Sequence, residues 1–309
     1  MNRVQPATAV VGAGAVGCYF GGMLARAGVP VTLIGREGHV DAINRDGLAI
    51  EGLRVRERVR VMASTELSAV HDSHLILFCV KTTDTESAAR AIAPHLNSAS
   101  VVISMQNGVD NTERIRAAAN IRAVAAVVYV AAQMTGAGQV THSGRGDLVL
   151  GRAPSSPAAV DLENIAATFA RAEVPCRVSQ EIRRELWIKM LMNCAYNAIS
   201  ALTHARYGPI AANPEAREVM RHVIEEAVAV ARAEGVALPA AEMIEAAYKL
   251  GENMNEALSS TAQDIARGKR TEIDSLNGYV ARHARQYGIA APVNETLYAL
   301  VKQLETAVS

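Results

Sequence analysis

Cysteine, aromatic residues and net charge are all scarce in this chain of 309 residues, and each scarcity excludes a class of protein. The four cysteines are widely spaced and form no Cys-x-x-Cys pair, which argues against a structural zinc site or a redox dithiol. Three Phe and one Trp offer no aromatic platform on which nucleic-acid bases could stack. The chain has 31 basic residues (Lys plus Arg) and 31 acidic residues (Asp plus Glu). This balance argues against a protein that binds nucleic acid or a membrane surface through its net charge.

Membrane and export signals are missing as well. No apolar run reaches the ~18 residues that suggest a bilayer span, and the N-terminus leads into the first apolar run without a signal-peptide pattern. The only His-rich segment, His71-Asp72-Ser73-His74, has the polarity of a solvated loop, so we expect no metal. We therefore expect a cytoplasmic protein whose main partner is a small molecule.

A glycine-rich turn is present near the N-terminus, Gly12-Ala13-Gly14-Ala15-Val16-Gly17, between an apolar run and a helix-like segment. The first glycine permits a tight turn out of a buried strand, the second lets backbone N–H groups approach a pyrophosphate, and the third lets the helix lie close to the sheet. Phosphates bind at such a helix N-terminus because unpaired N–H groups and the helix dipole favour negative charge. The turn predicts dinucleotide binding.

The end of the second apolar run, Gly35-Arg36, bears on which dinucleotide is bound. An acidic residue here would accept hydrogen bonds from the ribose 2′-hydroxyl of NAD, whereas an arginine suits the 2′-phosphate of NADP. We therefore predict NADP(H). The alternative is that Arg36 is a solvated loop arginine.

The first half of the chain has the pattern of a doubly wound sheet. Apolar runs at 9–11, 31–34, 75–80 and 101–105 are separated by helix-like or loop segments, as in parallel strands joined by crossovers. The alternation within residues 48–61 predicts an inserted pair of half-exposed strands. We expect antiparallel additions at the sheet edge over residues 124–150, and then a helix over 158–171 and a strand over 175–178.

Beyond residue 180 a 3.6-residue periodicity dominates, and Gly and Pro signals divide the remainder into about six helices, one of them over residues 273–287. The predicted fold class is thus α/β, with an all-α second part. We predict an NADP-binding domain of the Rossmann type over residues 1–180 and a helical substrate and catalytic domain over residues 181–309.

A polar stripe lies on the first helix of this second domain. Lys189, Asn193 and Asn197 are each four residues apart, so they project from one side of the helix, and Ser200 extends the stripe. Because the helix is apolar on nearly every other side, the stripe faces either partners in the core or a ligand. The alternative is that Lys189 extends to solvent while the asparagines bridge helices.

A second candidate is Glu272. Thr271 and Asp274 resemble a capping box, which would place Glu272 in the first turn of a helix, where the dipole keeps a carboxylate ionised. Acidic residues also occupy first turns for stability alone, so a structural role stays open.

Two loops of the first domain complete the candidates. Lys81 follows one predicted parallel strand and Asn107 follows the next, and ligands of such sheets bind beyond the carboxyl ends of the strands. A plain turn also explains the Asn107-Gly108 pair.

Taken together, these segments resemble the ketopantoate reductase (2-dehydropantoate 2-reductase) family over about residues 7–304. The resemblance implies a Rossmann domain, a helical domain of the 6-phosphogluconate dehydrogenase C-terminal type, and an active site in the cleft between them. The segments that carry the resemblance are the glycine turn with Arg36, Val80-Lys81-Thr82, Gln106-Asn107-Gly108, Leu186-Trp187-Ile188-Lys189 with Asn193, Ser259-Ser260 with Gln263-Asp264, and Arg270-Thr271-Glu272-Ile273-Asp274.

The resemblance also implies a role for each candidate. Lys189 would be the proton donor, and Glu272 would be the acidic residue beside the nicotinamide and the substrate. The substrate would contact Asn107, Asn193, Asn197 and Ser260. The cofactor would contact Gly12, Ala13, Gly14, Ala15, Val16, Gly17, Arg36, Lys81, Asn107 and Glu272.

The implied activity is the NADPH-dependent reduction of ketopantoate to pantoate, for pantothenate and coenzyme A biosynthesis. Ala257 and Tyr207 stand where the family pattern has asparagines, so the identity of the acid stays open. The alternatives are a reductase of another small 2-oxo acid on the same fold and a non-catalytic NADP-sensing regulator. Apolar helix faces in the second domain are compatible with a homodimer.

Overall fold

The computed structural model describes residues 7–52 and 55–308, and the chain divides into two compact units, Met1–Ile182 and Arg183–Ser309. The first six residues, where we expect no signal peptide, lie outside the described residues. No helix within the described ranges is long and apolar enough to cross a membrane.

The first unit is built on one ten-stranded sheet, in the order β4-β3-β9-β8-β7-β6-β1-β2-β5, with β10 paired to β9. The strands are β1 (Thr8–Val11), β2 (Val31–Ile34), β3 (Leu48–Gly52), β4 (Arg56–Val59), β5 (Met62–Ser64), β6 (Leu75–Phe78), β7 (Val101–Ser104), β8 (Ala123–Gly136), β9 (Gln139–Gly151) and β10 (Cys176–Val178). The α-helices of this unit are α1 (Ala15–Arg26), α2 (Glu37–Asp46), α3 (Thr85–Ile92), α4 (Asn111–Ala119) and α5 (Leu162–Arg171).

The central strands of this sheet are parallel and buried on both faces. β1 pairs with β2 and β6, and β6 pairs with β7, all in parallel register. Side chains alternate between two hydrophobic clusters: Val10 and Leu77 belong to one, and Ala9 and Phe78 to the other. Because successive side chains of a strand point to opposite faces, both faces of the sheet are covered, as the doubly wound prediction requires.

The predicted position of β9 is wrong. We expected antiparallel additions at the sheet edge, and β9 does run antiparallel to β8, but its other side pairs in parallel with β3. The β3–β4 hairpin therefore closes this side of the sheet, and the edge strand is β4. The reason is that buried Leu48 and Ile50 anchor β3 in the core, a long-range pairing that local alternation does not encode.

The helix predicted from residue 158 begins later, at Leu162. The carboxylate of Asp161 accepts a hydrogen bond from the backbone N of Asn164 at 3.0 Å and thereby caps α5.

The second unit is helical, as predicted. Its α-helices are α6 (Ile182–Thr203), α7 (Tyr207–Ala212), α8 (Pro214–Ala233), α9 (Ala240–Asn253), α10 (Ser260–Ala266), α11 (Asn277–Tyr287) and α12 (Pro292–Val308). The single helix expected over 273–287 is interrupted. Ile273–Ser275 form a 3₁₀ turn, and Leu276, with φ −114° and ψ −110°, leaves the helical region before α11 begins.

A buried polar network ties four helices of this unit together. Asn277 Nδ2 donates to the Cys194 carbonyl of α6 at 3.2 Å and to Asn294 Oδ1 of α12 at 3.0 Å. Asn294 Nδ2 in turn donates to Glu226 Oε2 of α8 at 2.7 Å. The carboxylate of Glu226 also accepts the backbone N–H groups of Val293 and Asn294, both at 2.9 Å, so it caps α12.

Candidate active site

The glycine turn between β1 and α1 has two crowded positions and one open one. Gly12 has φ +100°, and a Cβ there would lie 2.8 Å from both the carbonyl carbon of Cys79 and the amide N of Val80. A Cβ at Gly17 would lie 2.3 Å from the carbonyl oxygen of Gly12, whereas a Cβ at Gly14 would meet nothing within 4 Å. The turn is therefore tightly packed at Gly12 and Gly17, and it borders open space at Gly14.

This opening lies at the N-terminus of α1, whose first turn, starting with Ala15 and Val16, carries no acidic side chain. An unblocked helix N-terminus next to an open glycine suits an anionic group. The turn therefore fits the pyrophosphate of a dinucleotide on steric and electrostatic grounds.

Arg36 lies at the carboxyl end of β2, one residue before α2, and is exposed. It is close to the glycine turn, because a Cβ on the preceding residue, Gly35, would lie 2.9 Å from the Cβ of Ala13. The backbone of Arg36 thus lies next to the glycine turn, at the end of β2, where the sequence predicts the residue that distinguishes NADP from NAD.

Lys81 follows β6, which pairs with β1, and Asn107 follows β7, which pairs with β6; both residues are half-buried. The carboxyl ends of these parallel strands face the same side of the sheet as the glycine turn. Asn111, at the start of α4, fixes the second loop, because its Nδ2 donates to the Asn107 carbonyl at 2.6 Å. In the first unit, the predicted cofactor residues thus all lie at the carboxyl ends of the parallel strands.

Gln106 connects these two loops and was not among the predicted site residues. Its Nε2 donates to the Val80 carbonyl at 3.1 Å and to Thr85 Oγ1 at 2.8 Å, while its Oε1 accepts from Ser104 Oγ at 3.0 Å. All the polar atoms of this buried amide are used within the protein, so Gln106 holds the loops in place. A polar residue directly after the apolar run 101–105 was the sequence signal for this role.

The cysteines do not supply a nucleophile to the site. Burial raises the pKa of Cys18, beneath the glycine turn, and of Cys176 to about 12, and it raises the pKa of Cys79 and Cys194 further. All four therefore remain thiols at neutral pH and act as small apolar side chains.

In the second unit, the predicted polar stripe lies on α6. Lys189 and Asn193 are half-buried, and Asn197 is 2 % exposed. Around them α6 buries large apolar side chains, with Trp187 and Leu191 almost completely enclosed. A polar stripe in such a helix needs polar partners or a ligand.

Asn197 is fixed by two neighbours. Tyr207 Oη donates to Asn197 Oδ1 at 3.3 Å, and Ser259 Oγ donates to the Asn197 carbonyl at 3.3 Å. The Tyr207 ring stacks on Tyr196 with ring centroids 4.2 Å apart. Burial raises the pKa of Tyr207 far above the physiological range, so its hydroxyl stays protonated and remains a donor.

The two serines before α10 have different surroundings. Ser259 is buried, and its Oγ caps α10 by accepting from Ala262 N at 3.0 Å. Ser260, the predicted substrate residue, is exposed at the first position of the helix. The sequence did not distinguish the capping serine from its neighbour.

The two positions that depart from the family pattern are neighbours in space. The backbone N of Tyr207 donates to the Ala257 carbonyl at 2.9 Å. Tyr207 also donates from its hydroxyl to the Asn197 side chain. The two departures from the pattern are therefore adjacent, and one of them, Tyr207, contacts the polar stripe.

The capping box predicted at Thr271 is wrong. Thr271 donates from its backbone N and its Oγ1 to Glu305 Oε1, at 2.7 and 2.5 Å, and Ile273 N donates to Thr271 Oγ1 at 3.2 Å. Asp274 does not reach back to Thr271, because its carboxylate binds side chains of α12. Glu272 is half-buried just before the 3₁₀ turn, and not in the first turn of an α-helix.

The segment that follows Glu272 is tied to the polar stripe. Asn277, the first residue of α11, donates to the carbonyl of Cys194, which is the neighbour of Asn193 on α6. Lys189, Asn193, Asn197, Ser260 and Glu272 thus belong to the second unit, while the predicted glycine turn, Arg36, Lys81 and Asn107 belong to the first. No group of three or more His, Cys, Asp or Glu that could hold a metal ion lies within residues 7–52 and 55–308.

A doubly wound sheet with an open glycine turn, followed by an all-helical unit, defines a class of dinucleotide-binding proteins. Family profiles described as "Ketopantoate reductase PanE/ApbA" and "Ketopantoate reductase PanE/ApbA C terminal" match residues 8–155 and 181–305. The chain belongs to the ketopantoate reductase family, which confirms the resemblance and the predicted fold class.

Individual relatives agree with this assignment. The chain is 34% identical over 297 residues to a 2-dehydropantoate 2-reductase of Pyrococcus horikoshii, covering 96% of this chain and 97% of that protein. A crystal structure of a PanE/ApbA family ketopantoate reductase from Ralstonia eutropha is similar with a TM-score of 0.90 and 48% identity, covering 98% and 99% of the two chains. A D-mandelate dehydrogenase solved with NADH and anilino(oxo)acetate has a TM-score of 0.90 but 24% identity, over 98% and 99% of the chains, and shares the fold alone.

Proposed function

We propose that this protein reduces 2-dehydropantoate to pantoate with NADPH. The observation that carries the proposal is Lys189, which projects half-buried from α6, a helix enclosed on most of its surface. An ammonium group at this position of the polar stripe can stabilise the negative charge that develops on a carbonyl oxygen during reduction. Relatives of this chain over nearly its whole length carry the name 2-dehydropantoate 2-reductase.

The cofactor would be held by the first unit. The backbone N–H groups of Gly14, Ala15 and Val16, at the N-terminus of α1, would bind the pyrophosphate, and Arg36 would bind the 2′-phosphate. The ketopantoate reductase family is NADPH-dependent. When bound, NADPH supplies the hydride for the reduction.

The protein's own part in the chemistry falls to the second unit. Negative charge develops on the carbonyl oxygen of a 2-oxo acid as it is reduced, and the ammonium of Lys189 would stabilise that charge and donate the proton. Glu272 would orient Lys189 or the substrate hydroxyl.

Substrate binding would fall to Asn107, Asn193, Asn197 and Ser260. Because Tyr207 donates to Asn197 Oδ1, the amide of Asn197 is oriented with its oxygen engaged. Its Nδ2 is then the group that would donate to an anionic oxygen of the substrate.

Two residues near the polar stripe bear on which acid is preferred. Tyr207 and Ala257 adjoin the polar stripe and offer a phenol and a methyl group. A site that lacks an amide donor discriminates among acids differently from one that has it. We propose ketopantoate as the preferred acid because of the family, and a cytoplasmic location and a homodimer remain predictions from the sequence.

The experiment that tests the proposal is NADPH oxidation with ketopantoate and with a panel of other small 2-oxo acids. We expect the highest kcat/KM for ketopantoate. A higher value for another acid would assign a different reductase, and cofactor binding without turnover on any acid would assign a sensor. The same assay with NADH and with Arg36→Ala checks the cofactor: the variant should lose most of the preference for NADPH, and an unchanged NADPH/NADH ratio would remove Arg36 from the site.

A further inference from the structure

The short segment that carries Glu272 is held from α12 by a second carboxylate. Glu305 is 8 % exposed, and its Oε1 accepts two hydrogen bonds from Thr271, one from the backbone N at 2.7 Å and one from Oγ1 at 2.5 Å. Thr271 Oγ1 also accepts from Ile273 N at 3.2 Å. The residues on both sides of Glu272 are therefore fixed through one side chain of α12.

Lys302 extends this attachment to the other end of the segment. Its Nζ lies 2.6 Å from Glu305 Oε2 and 3.1 Å from Asp274 Oδ2. Asp274 Oδ1 also accepts from Tyr298 Oη at 2.7 Å. Three side chains of α12, spaced three or four residues apart and so on one face of the helix, thus hold the chain before and after Glu272.

The charges of this attachment are matched. Burial alone would raise the pKa of Glu305 and of Asp274, but hydrogen bonds from Lys302 to both, from Thr271 to Glu305 and from Tyr298 to Asp274 outweigh burial and lower both values. The same carboxylates raise the pKa of Lys302 despite its burial. All three groups are charged at neutral pH, and Lys302 forms ion pairs with both carboxylates.

We infer that Glu305 and Lys302 are positioning residues for the reaction, which fix the backbone that presents Glu272. The inference rests on the proposed function, because it assigns to α12 the placement of a residue proposed to act on substrate and cofactor. Neither residue needs to touch the reacting atoms. Their effect on catalysis passes through Glu272, because displacement of a catalytic group by about 1 Å can cost on the order of 10² in rate.

Two variants, which remove different amounts of the attachment, test the inference. Thr271→Val keeps the shape of the residue and removes only the hydroxyl, and Glu305→Ala removes the whole attachment point. We expect kcat with ketopantoate and NADPH to fall about tenfold for Thr271→Val and on the order of 10² for Glu305→Ala. Glu295→Ala is the matched control on the same helix, because Glu295 pairs with Arg285 at the surface, and it should retain wild-type kcat.

A double-mutant cycle with Glu272→Gln shows whether the effect passes through Glu272. In that background we expect Thr271→Val and Glu305→Ala to lower kcat by no more than about twofold, because the group they place has already been lost. Equal losses in both backgrounds would overturn the inference and leave the proposed function intact. Wild-type kcat for Glu272→Gln itself would overturn the proposed role of Glu272, and the positioning role with it.

Folding is followed separately by circular dichroism and thermal melting. If Glu305→Ala does not fold, the cycle is completed with Thr271→Val. Wild-type kcat for a folded Thr271→Val protein, with only a lower melting temperature, would show that the attachment stabilises the fold alone and would overturn the inference.

Discussion

Single residues of the glycine turn have separable roles, although all three are glycines in one motif. Gly12 and Gly17 are required by packing, since any Cβ would meet backbone atoms, whereas Gly14 borders open space. Gly14 also has φ −85°, which any residue can adopt. We therefore propose that Gly14 is needed for cofactor binding and not for the fold.

The turn yields a matched pair of substitutions. Gly17→Ala should destabilise the first unit by about 1–3 kcal/mol, because the new methyl group can be accommodated only by moving the backbone at Gly12. Gly14→Ala should leave the melting temperature nearly unchanged and raise KM for NADPH. Thermal melting and steady-state kinetics check both, and a Gly14→Ala protein with wild-type KM would show that no part of the cofactor approaches this position closely.

Other residues show where sequence reasoning ends at this scale. The spacing of Lys189, Asn193 and Asn197 was sufficient to place them on one stripe of α6. The roles of Ser259 and Ser260 could not be separated, because the helix begins at either serine as far as local sequence is concerned. Glu272 was placed in the wrong local structure, because Thr271 bonds to Glu305, 34 residues further along the chain.

At the scale of the element, α12 is attached to the rest of the second unit by side chains from other helices. Pro292 begins the helix, and the N–H groups of Val293 and Asn294 donate to the carboxylate of Glu226 on α8. A carboxylate at a helix N-terminus gains from both hydrogen bonding and the dipole. This cap comes from a distant part of the chain.

Removing the cap should therefore be costly. Glu226→Ala leaves two backbone donors and the Asn294 amide without this acceptor, and we expect a loss of about 2 kcal/mol in the free energy of unfolding. Glu225→Ala is the control, because the neighbouring Glu225 pairs with Arg221 on the exposed side of α8 and should cost at most about 0.5 kcal/mol. The free energies of unfolding of the two variants are measured by urea unfolding. Equal losses for the two variants would show that the cap does not stabilise the protein more than a surface ion pair does.

The sequence predicted some helices and strands more accurately than others. β1, β2, β6 and β7 were placed nearly to the residue, because a strand buried on both faces is a continuous apolar run. The partners of β9 and the interruption before α11 depend on contacts made far along the chain, so local patterns did not reveal them. The three-residue β5 was missed altogether, because it is too short to show a period.

For the whole molecule, low pH should reduce the folding stability of both units. In the first, the hydrogen bond from Arg114 lowers the pKa of Glu86; in the second, the bonds from Lys302 and its neighbours lower the pKa of Asp274 and Glu305 in spite of burial. Below the ordinary values of 3.8 for Asp and 4.5 for Glu, the unfolded chain binds more protons than the folded chain. The stability from these groups is thus complete above pH 4.5 and is lost as pH falls through the lowered values.

A lysine variant isolates the contribution of the second unit. The urea midpoint of Lys302→Gln should lie below that of the wild type at pH 6, and the difference should shrink as pH falls from 4.5 to 3, because the wild type loses the same ion pairs. Lys249→Gln, at an exposed site on α9, should follow the wild type throughout. A difference for Lys302→Gln that stays constant down to pH 3 would contradict the assigned ion pairs.

The proposed reaction depends on the ammonium group of Lys189. The most direct test is kcat of Lys189→Ala at saturating ketopantoate and NADPH, with Lys249→Ala as an exposed-lysine control. We expect kcat to fall by a factor on the order of 10²–10⁴ for Lys189→Ala and to remain at the wild-type value for the control. A folded Lys189→Ala protein with near-normal kcat would contradict the assigned role of proton donor, because loss of a lysine that only extends to solvent would have no kinetic effect.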